Sequence, residues 1–338
     1  MKLSWLPAAG ALAACGGFPE YLEGGGSAAV AKPTAQFPST WSGESSGAVA
    51  ASTPTTPPEV KGASSSTPAL PVATFVRGTP QPAAFALVVG IDKYRDVVAA
   101  PGARNDAQRF AQVVRQTLGI PESHVHVALD ERATKNDLET ELAWLKSSAT
   151  NGSRLYFFFS GHGAPDTEAA ESGTPYLVPY DGNPKSLSKT SIALATVMSA
   201  LGSSRAKDAL VVLDSCFSGQ GQRSLLPPGA RPLMRVKEEA PATQVALFSA
   251  SGANEIAGPA SDAPLGAFTK FVTEGLGNGS ADGDGDGDIS LAELGAYVTP
   301  RVQRDAKRSN RDQTPSITVG SGIGDAKSFD VAWGFPTK

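Results

Sequence analysis

Two stretches of the chain share one design. Ala209-Leu-Val-Val-Leu213 and Leu155-Tyr-Phe-Phe-Phe159 are unbroken apolar runs. The first stops at Asp214, Ser215, Cys216, Ser218 and Gly219; the second stops at Ser160, Gly161, His162 and Gly163. Apolar runs of this length, rich in aromatic, β-branched and Leu residues, predict strands buried on both faces. Ala84-Phe-Ala-Leu-Val-Val-Gly90 and Gln244-Val-Ala-Leu-Phe-Ser249 repeat the pattern, His124–Leu129 alternates, and Tyr176-Leu-Val178 is a shorter strand. Helical spacing fills the gaps. Ala107, Phe110, Val114 and Leu118 share one face behind a cap at Asn105 or Asp106, and Gly119 ends that helix. Leu138, Leu142 and Leu145 follow a capping pattern at Thr134–Asp137, a helix is expected near 192–201, and Phe268, Val272 and Leu276 mark another. Strands alternating with helices predict an α/β fold whose mostly parallel sheet is covered on both faces.

This pattern begins only at about residue 84. From Gly16 to residue 83 the chain is dominated by Gly, Ser, Thr, Ala and Pro with few large apolar residues, and ten of the 26 prolines fall there, so neither helix nor central strand runs through it. Such a stretch buries too little apolar surface to offset its chain entropy, and a disordered tether with a span of roughly 45 Å is expected. Residues 84–335 suffice for one domain. Upstream of the tether, residues 1–15 have a positive start, a short apolar core and small residues near the end, the layout of a secretory signal peptide. Leu12-Ala13-Ala14-Cys15 resembles a bacterial lipobox, which implies acylation of Cys15 and lipid anchoring in the cell envelope; an unused signal would leave the protein cytoplasmic.

The net charge of −4 and the absence of a basic patch argue against a nucleic-acid partner. Cys15 and Cys216 are the two cysteines. A lone cysteine at a strand end is more often structural than reactive. The balance shifts because His162 occupies the same kind of position, so neighbouring strands would deliver both side chains to the carboxyl edge of the sheet, where open α/β folds bind ligands. A free thiol is only a few per cent ionised near neutral pH, and an adjacent imidazole raises that fraction. The N–H groups of Gly163 and Cys216 are the natural oxyanion donors. His124 and His126, at i and i+2, lie on one strand face; with no third ligand nearby, a structural role is expected.

A strand ending Ser-Gly-His-Gly, followed about fifty residues on by one ending Asp-Ser-Cys-Phe-Ser-Gly, resembles the caspase-like cysteine peptidases, and the metacaspases and their bacterial relatives more than animal caspases. Val88-Val-Gly-Ile-Asp-Lys-Tyr94, Gly102-Ala-Arg-Asn-Asp-Ala107, Tyr176-Leu-Val-Pro-Tyr-Asp181 and Gly266-Ala-Phe-Thr269 extend the likeness along most of the domain. The resemblance implies a caspase-like α/β/α sandwich and peptide hydrolysis through a thioester at Cys216, with His162 protonating the leaving amine. It also implies an acidic pocket for Arg or Lys before the cut, at positions matching Asp106, Ser160 and Asp214. Asp106 serves equally as a helix cap and Asp214 as an anchor for the cysteine loop, and Ala103 stands where many metacaspases have a second pocket cysteine. Residues 220–243, with Arg223, Arg231, Arg235 and Lys237, suit either self-cleavage or a plain surface loop.

Asp282-Gly-Asp-Gly-Asp-Gly-Asp-Ile-Ser-Leu-Ala-Glu293 matches the twelve-residue EF-hand loop. Side-chain ligands fall at Asp282, Asp284, Asp286, Ser290 and Glu293, a backbone carbonyl at Asp288, and the turn glycine at Gly287; a solvated Asp/Gly turn is the alternative. Leu294, Val298 and Val302 mark the helix beyond it. The expected protein is a lipid-anchored, calcium-responsive cysteine endopeptidase with peptide or protein substrates and no organic cofactor. The alternative is an inactive caspase-fold binding module that holds calcium.

Overall fold

The computed structural model describes residues 70–165, 173–217, 241–252, 255 and 257–337. The signal segment, Cys15, the tether up to residue 69 and most of the 220–243 loop lie outside them. In chain order the elements are β1 (Phe85–Gly90), α1 (Ala103–Gln116), β2 (Val125–Leu129), α2 (Lys135–Ser148), β3 (Arg154–Ser160), β4 (Gly163–Pro165), β5 (Pro175–Leu177), α3 (Leu187–Thr190), β6 (Ile192–Ala193), α4 (Leu194–Gly202), β7 (Asp208–Asp214), β8 (Val245–Ser249), α5 (Ala267–Gly277), β9 (Ile289–Ser290), α6 (Leu291–Arg308), β10 (Ser316–Val319) and β11 (Asp330–Ala332).

Six strands form the central sheet in the order β10-β8-β7-β3-β1-β2. All neighbours are parallel except β10, which closes one edge antiparallel to β8. Alternation along each strand sorts its side chains into two cores. Val88, Phe158, Val212 and Phe248 face α1, α5 and α6, while Val89, Phe157, Phe159 and Val211 face α2 and α4. The apolar runs are continuous because both faces are covered. The expected α/β/α sandwich is the observed architecture. Two small antiparallel sheets, β4-β5-β6 and β9-β11, sit outside it.

Local differences from the sequence reading have local causes. The first helix begins at Ala103, and its N-cap is Gly102 in the left-handed region, with no side-chain cap; neither Asn105 nor Asp106 caps it, because both side chains reach other elements. It ends at Gln116, before Leu118. The capping box at Thr134 and Asp137 forms as the pattern predicts. His124 closes a 3₁₀ turn rather than opening β2 and stacks on Phe85 at 4.1 Å, while His126 stacks on Trp144 at 3.4 Å and bonds Glu141 at 2.6 Å. Their roles are those of packed side chains. Residues 76–81, within the stretch expected as tether, are bonded to the domain: Val76 N–H donates to Gly277 O at 2.6 Å and Thr79 N–H to Trp333 O at 2.7 Å. Phe75 and Val76 pack against the core, which offsets the ordering of this segment.

The β3–β7 pairing is fixed at its start by an ion pair. Arg154 and Asp208 are register partners, and the guanidinium meets the carboxylate in a fork, Nε to Oδ1 at 2.5 Å and Nη2 to Oδ2 at 2.7 Å. Both side chains are nearly buried, and Arg154 also lies 4.3 Å from the Phe329 ring. Removing one member strands a charge in a low-dielectric site. Arg154→Met is expected to lower unfolding free energy by about 3–5 kcal/mol in urea titration. Arg154→Met combined with Asp208→Leu should recover part of that loss; a double variant no more stable than the single would contradict this account.

Candidate active site

Strands β3 and β7 run parallel and in register, with Ser160 paired to Asp214 at their carboxyl ends. Gly161 continues the pairing by donating its N–H to Asp214 O. His162 and Cys216 each follow two residues after that last pair, so the sheet delivers the two reactive types to one edge at equal offsets. Gly163 then closes against the cysteine loop: a Cβ there would stand 2.6 Å from Ser215 Oγ and 2.8 Å from Phe217 Cδ1. No side chain larger than hydrogen fits between the two segments without a shift. Gly163 starts β4, opposite Leu177.

His162 is buried, and its Nε2 lies 2.8 Å from Val98 O. A carbonyl only accepts, so Nε2 carries the proton in the neutral ring, and Nδ1 is the basic nitrogen. Cys216 is buried and not in a disulfide, and its Sγ donates to Glu255 O at 3.2 Å. Glu255 is itself held by Thr314, whose hydroxyl donates to its carboxylate at 2.9 Å.

The three residues matched to an acidic pocket come together beside this edge. Asp106 Oδ2 accepts from Ser160 Oγ at 2.7 Å and Asp106 Oδ1 from Gly266 N–H at 2.7 Å. Asp214 Oδ2 accepts from Thr269 Oγ1 at 2.7 Å and Thr269 N–H at 3.2 Å. Both carboxylates therefore sit at the N-terminus of α5, where free N–H groups and the helix dipole favour negative charge. They are fully buried. Asp106 does not cap its own helix; its bond from Gly266 N–H ties α1 to the residue that precedes α5.

The acidic loop lies between α5 and α6. Ligand oxygens of Asp282, Asp284 and Glu293 lie within 4.8 Å of one another. Asp286, the third expected side-chain carboxylate, is outside that group; its Oδ1 accepts from Asp288 N–H at 2.8 Å. Asp288 Oδ1 accepts from Gly334 N–H at 3.0 Å, and Ser290 forms a capping box with Glu293. Gly287 has φ 92° and its would-be Cβ meets Phe335 O at 2.7 Å, so the turn requires glycine. Burial pushes the Glu293 carboxyl up, but hydrogen bonds from Ser290 and Gly283 outweigh it and leave the pKa lowered. Asp330 in β11 is raised, by burial first and then by Asp288, Asp286 and Glu293. Three converging carboxylates with oxygen-only donors fit a hard divalent cation.

Sequence reasoning passed over two groups that touch His162: the Val98 carbonyl and the Tyr94 hydroxyl. A main-chain contact carries no residue signature. Tyr94 lay within one of the matched motifs, but nothing in its spacing assigned it a partner.

Comparison with known proteins gives the family. The family model for the caspase domain matches residues 83–322. Metacaspase-2 of Trypanosoma brucei brucei is 28% identical over 107 residues, 28% of this chain and 30% of that protein's length, so the chain spans under a third of this curated relative. Among solved structures, a Geobacter sulfurreducens protein superposes with TM-score 0.50 at 16% identity, over 76% of this chain and all of the other, a likeness of fold alone. Caspase-1 of Spodoptera frugiperda reaches TM-score 0.49 at 13% identity over 77% of this chain and 92% of its own. Two strands of one sheet ending in Ser-Gly-His-Gly and Asp-Ser-Cys-Phe, inside a domain matched almost end to end, place this chain in the caspase-domain family of cysteine peptidases.

Proposed function

We propose that this protein is a cysteine endopeptidase that cuts after Arg or Lys, with His162 and Cys216 as its reacting pair. The observation that carries the reading is their equal two-residue offset beyond the Ser160–Asp214 register pair. In the reaction, Cys216 Sγ loses its proton to His162 and bonds the scissile carbonyl carbon, with the N–H groups of Gly163 and Cys216 receiving the oxyanion. The C–N bond breaks as His162 returns the proton to the leaving amine. Water then attacks the thioester, giving the carboxyl product and the free thiol.

Specificity for basic residues rests on Asp106 and Asp214, two buried carboxylates with Ser160 between them. A substrate guanidinium or ammonium would pair with charges that already lie out of water, where such pairing is strong. The full chain is expected to release fluorophore from peptides ending in Arg or Lys and not from those ending in Asp or Asn. Cys216→Ala should abolish turnover, and cleavage after Asp by the wild type would overturn the pocket assignment. Asp106→Asn should reduce kcat/KM on Arg peptides by about 30-fold or more, equivalent to about 2 kcal/mol for a buried charge partner. The same preparations, weighed intact by mass spectrometry, report whether residues 220–243 are self-cleaved; an uncut loop in active enzyme excludes it.

Calcium is the cation proposed for the 282–293 loop. The support is the all-oxygen donor set, the turn glycine at Gly287 and the convergence of Asp282, Asp284 and Glu293. Bound there, calcium would neutralise repelling carboxylates, and Asp282, Asp284 and Glu293 would then tie the α5–α6 connection to the start of α6. Added calcium is expected to raise the melting temperature of the wild type and leave that of Asp282→Ala unchanged. Equal melting with chelator and with calcium would refute the site.

No helix among the described residues is long and apolar enough to cross a membrane. Lipid on Cys15 is proposed as the anchor, on the strength of the lipobox. Cys15→Ser should move the protein from the detergent phase to the aqueous phase in detergent partitioning; partitioning unchanged by the substitution would exclude it.

A further inference from the structure

His162 lies between two glycines, so its own backbone has little intrinsic stiffness. Something outside the segment must fix the ring that serves Cys216. The connection between β1 and α1 meets His162 at two points. Val98 O reaches the ring at Nε2, and Tyr94 Oη accepts the main-chain N–H of His162 at 2.7 Å. The Tyr94 ring also lies against the imidazole, with centroids 4.8 Å apart at 39°. The hydroxyl approaches so closely that a Cβ on Gly161 would stand 2.5 Å from it.

We propose that Tyr94 is a positioning residue for the reacting pair, holding His162 through its main-chain N–H and ring face. The inference rests on the peptidase reading above. It requires Tyr94 itself to be held, and the connection is pinned along its length. Asp130 Oδ1 accepts from the N–H groups of Asp92 at 2.9 Å and Lys93 at 3.1 Å, and Asp130 Oδ2 accepts from Arg104 Nη1 at 2.6 Å. Arg95 N–H donates to Tyr180 O at 3.0 Å, and Ala100 N–H to Asp92 O at 2.8 Å. Asp130 is buried and adopts φ 47°, an uncommon conformation for a residue other than glycine, which the three bonds to its carboxylate hold in place. The hydroxyl is thus presented from a fixed platform to the glycine-flanked histidine. Tyr94 acts through the histidine, whose main-chain N–H it accepts.

Tyr94→Phe keeps the ring and removes the acceptor. In the full chain it should lower kcat on Arg peptides about tenfold and leave KM within twofold, because the substrate pocket is untouched. The separate readout is iodoacetamide alkylation of Cys216 against pH, with Cys216→Ala subtracting the signal of Cys15. The wild-type midpoint should lie below that of His162→Ala, and Tyr94→Phe should move it upward. Gly161→Ala, which pushes the hydroxyl away from the other side, should shift both readouts the same way. Circular dichroism melts confirm that each variant is folded. A wild-type midpoint no lower than that of His162→Ala overturns the reacting pair and the proposal together. A depressed midpoint and a kcat that both folded variants leave unmoved overturn the role of Tyr94 alone.

Discussion

The site depends on the register between β3 and β7. Side chains on neighbouring strands share a face or an edge only while pairing is in phase, and a slip of one residue sends every side chain to the opposite core. Here a slip would exchange Phe158 with Phe157 and Phe159 between two differently shaped interiors, and would separate His162 from Cys216. Three aromatics in a row make that slip expensive, since each is fitted to its own layer. The buried Arg154–Asp208 fork adds a polar lock at the start of the same strands. Phase is set at one end of the pair and used at the other.

Helix α5 occupies a comparable place on the substrate side. Its first turn donates to Asp106 and Asp214, and its last residue, Gly277, accepts from Val76 before the chain enters the acidic loop. The helix is about 16 Å long at 1.5 Å per residue. Those bonds set both carboxylates against the helix N-terminus, where its dipole favours negative charge.

Much of this was legible because burial on two faces leaves a strong mark. The runs at 84–90, 155–159 and 209–213 could hardly be anything but central strands, and the polar residues that end them marked the edge. Helix starts were less readable. A capping box announced α2, while α1 begins after a glycine in a left-handed turn, and the polar side chains near its start bond to α5 and Pro264. The edge strands β10 and β11 were not expected. They are short, half-exposed or irregular, and their pairing comes from tertiary contact instead of an apolar repeat. Tyr94 and Val98 escaped for the same reason: their meaning lies in what they touch across the fold.

The segment that enters the domain and the segment that leaves it form one seam. Thr79 bonds Trp333, Gln81 bonds Val331, and Tyr156 and Arg154, at the starts of their strand, bond the same closing stretch. Phe335 and Gly334 bond the acidic loop in turn. All of this lies at the amino ends of the central strands, whereas His162 and Cys216 follow the carboxyl ends, about 20 Å away by strand rise. The seam that closes the domain and the edge that carries His162 and Cys216 therefore lie at opposite ends of the central strands.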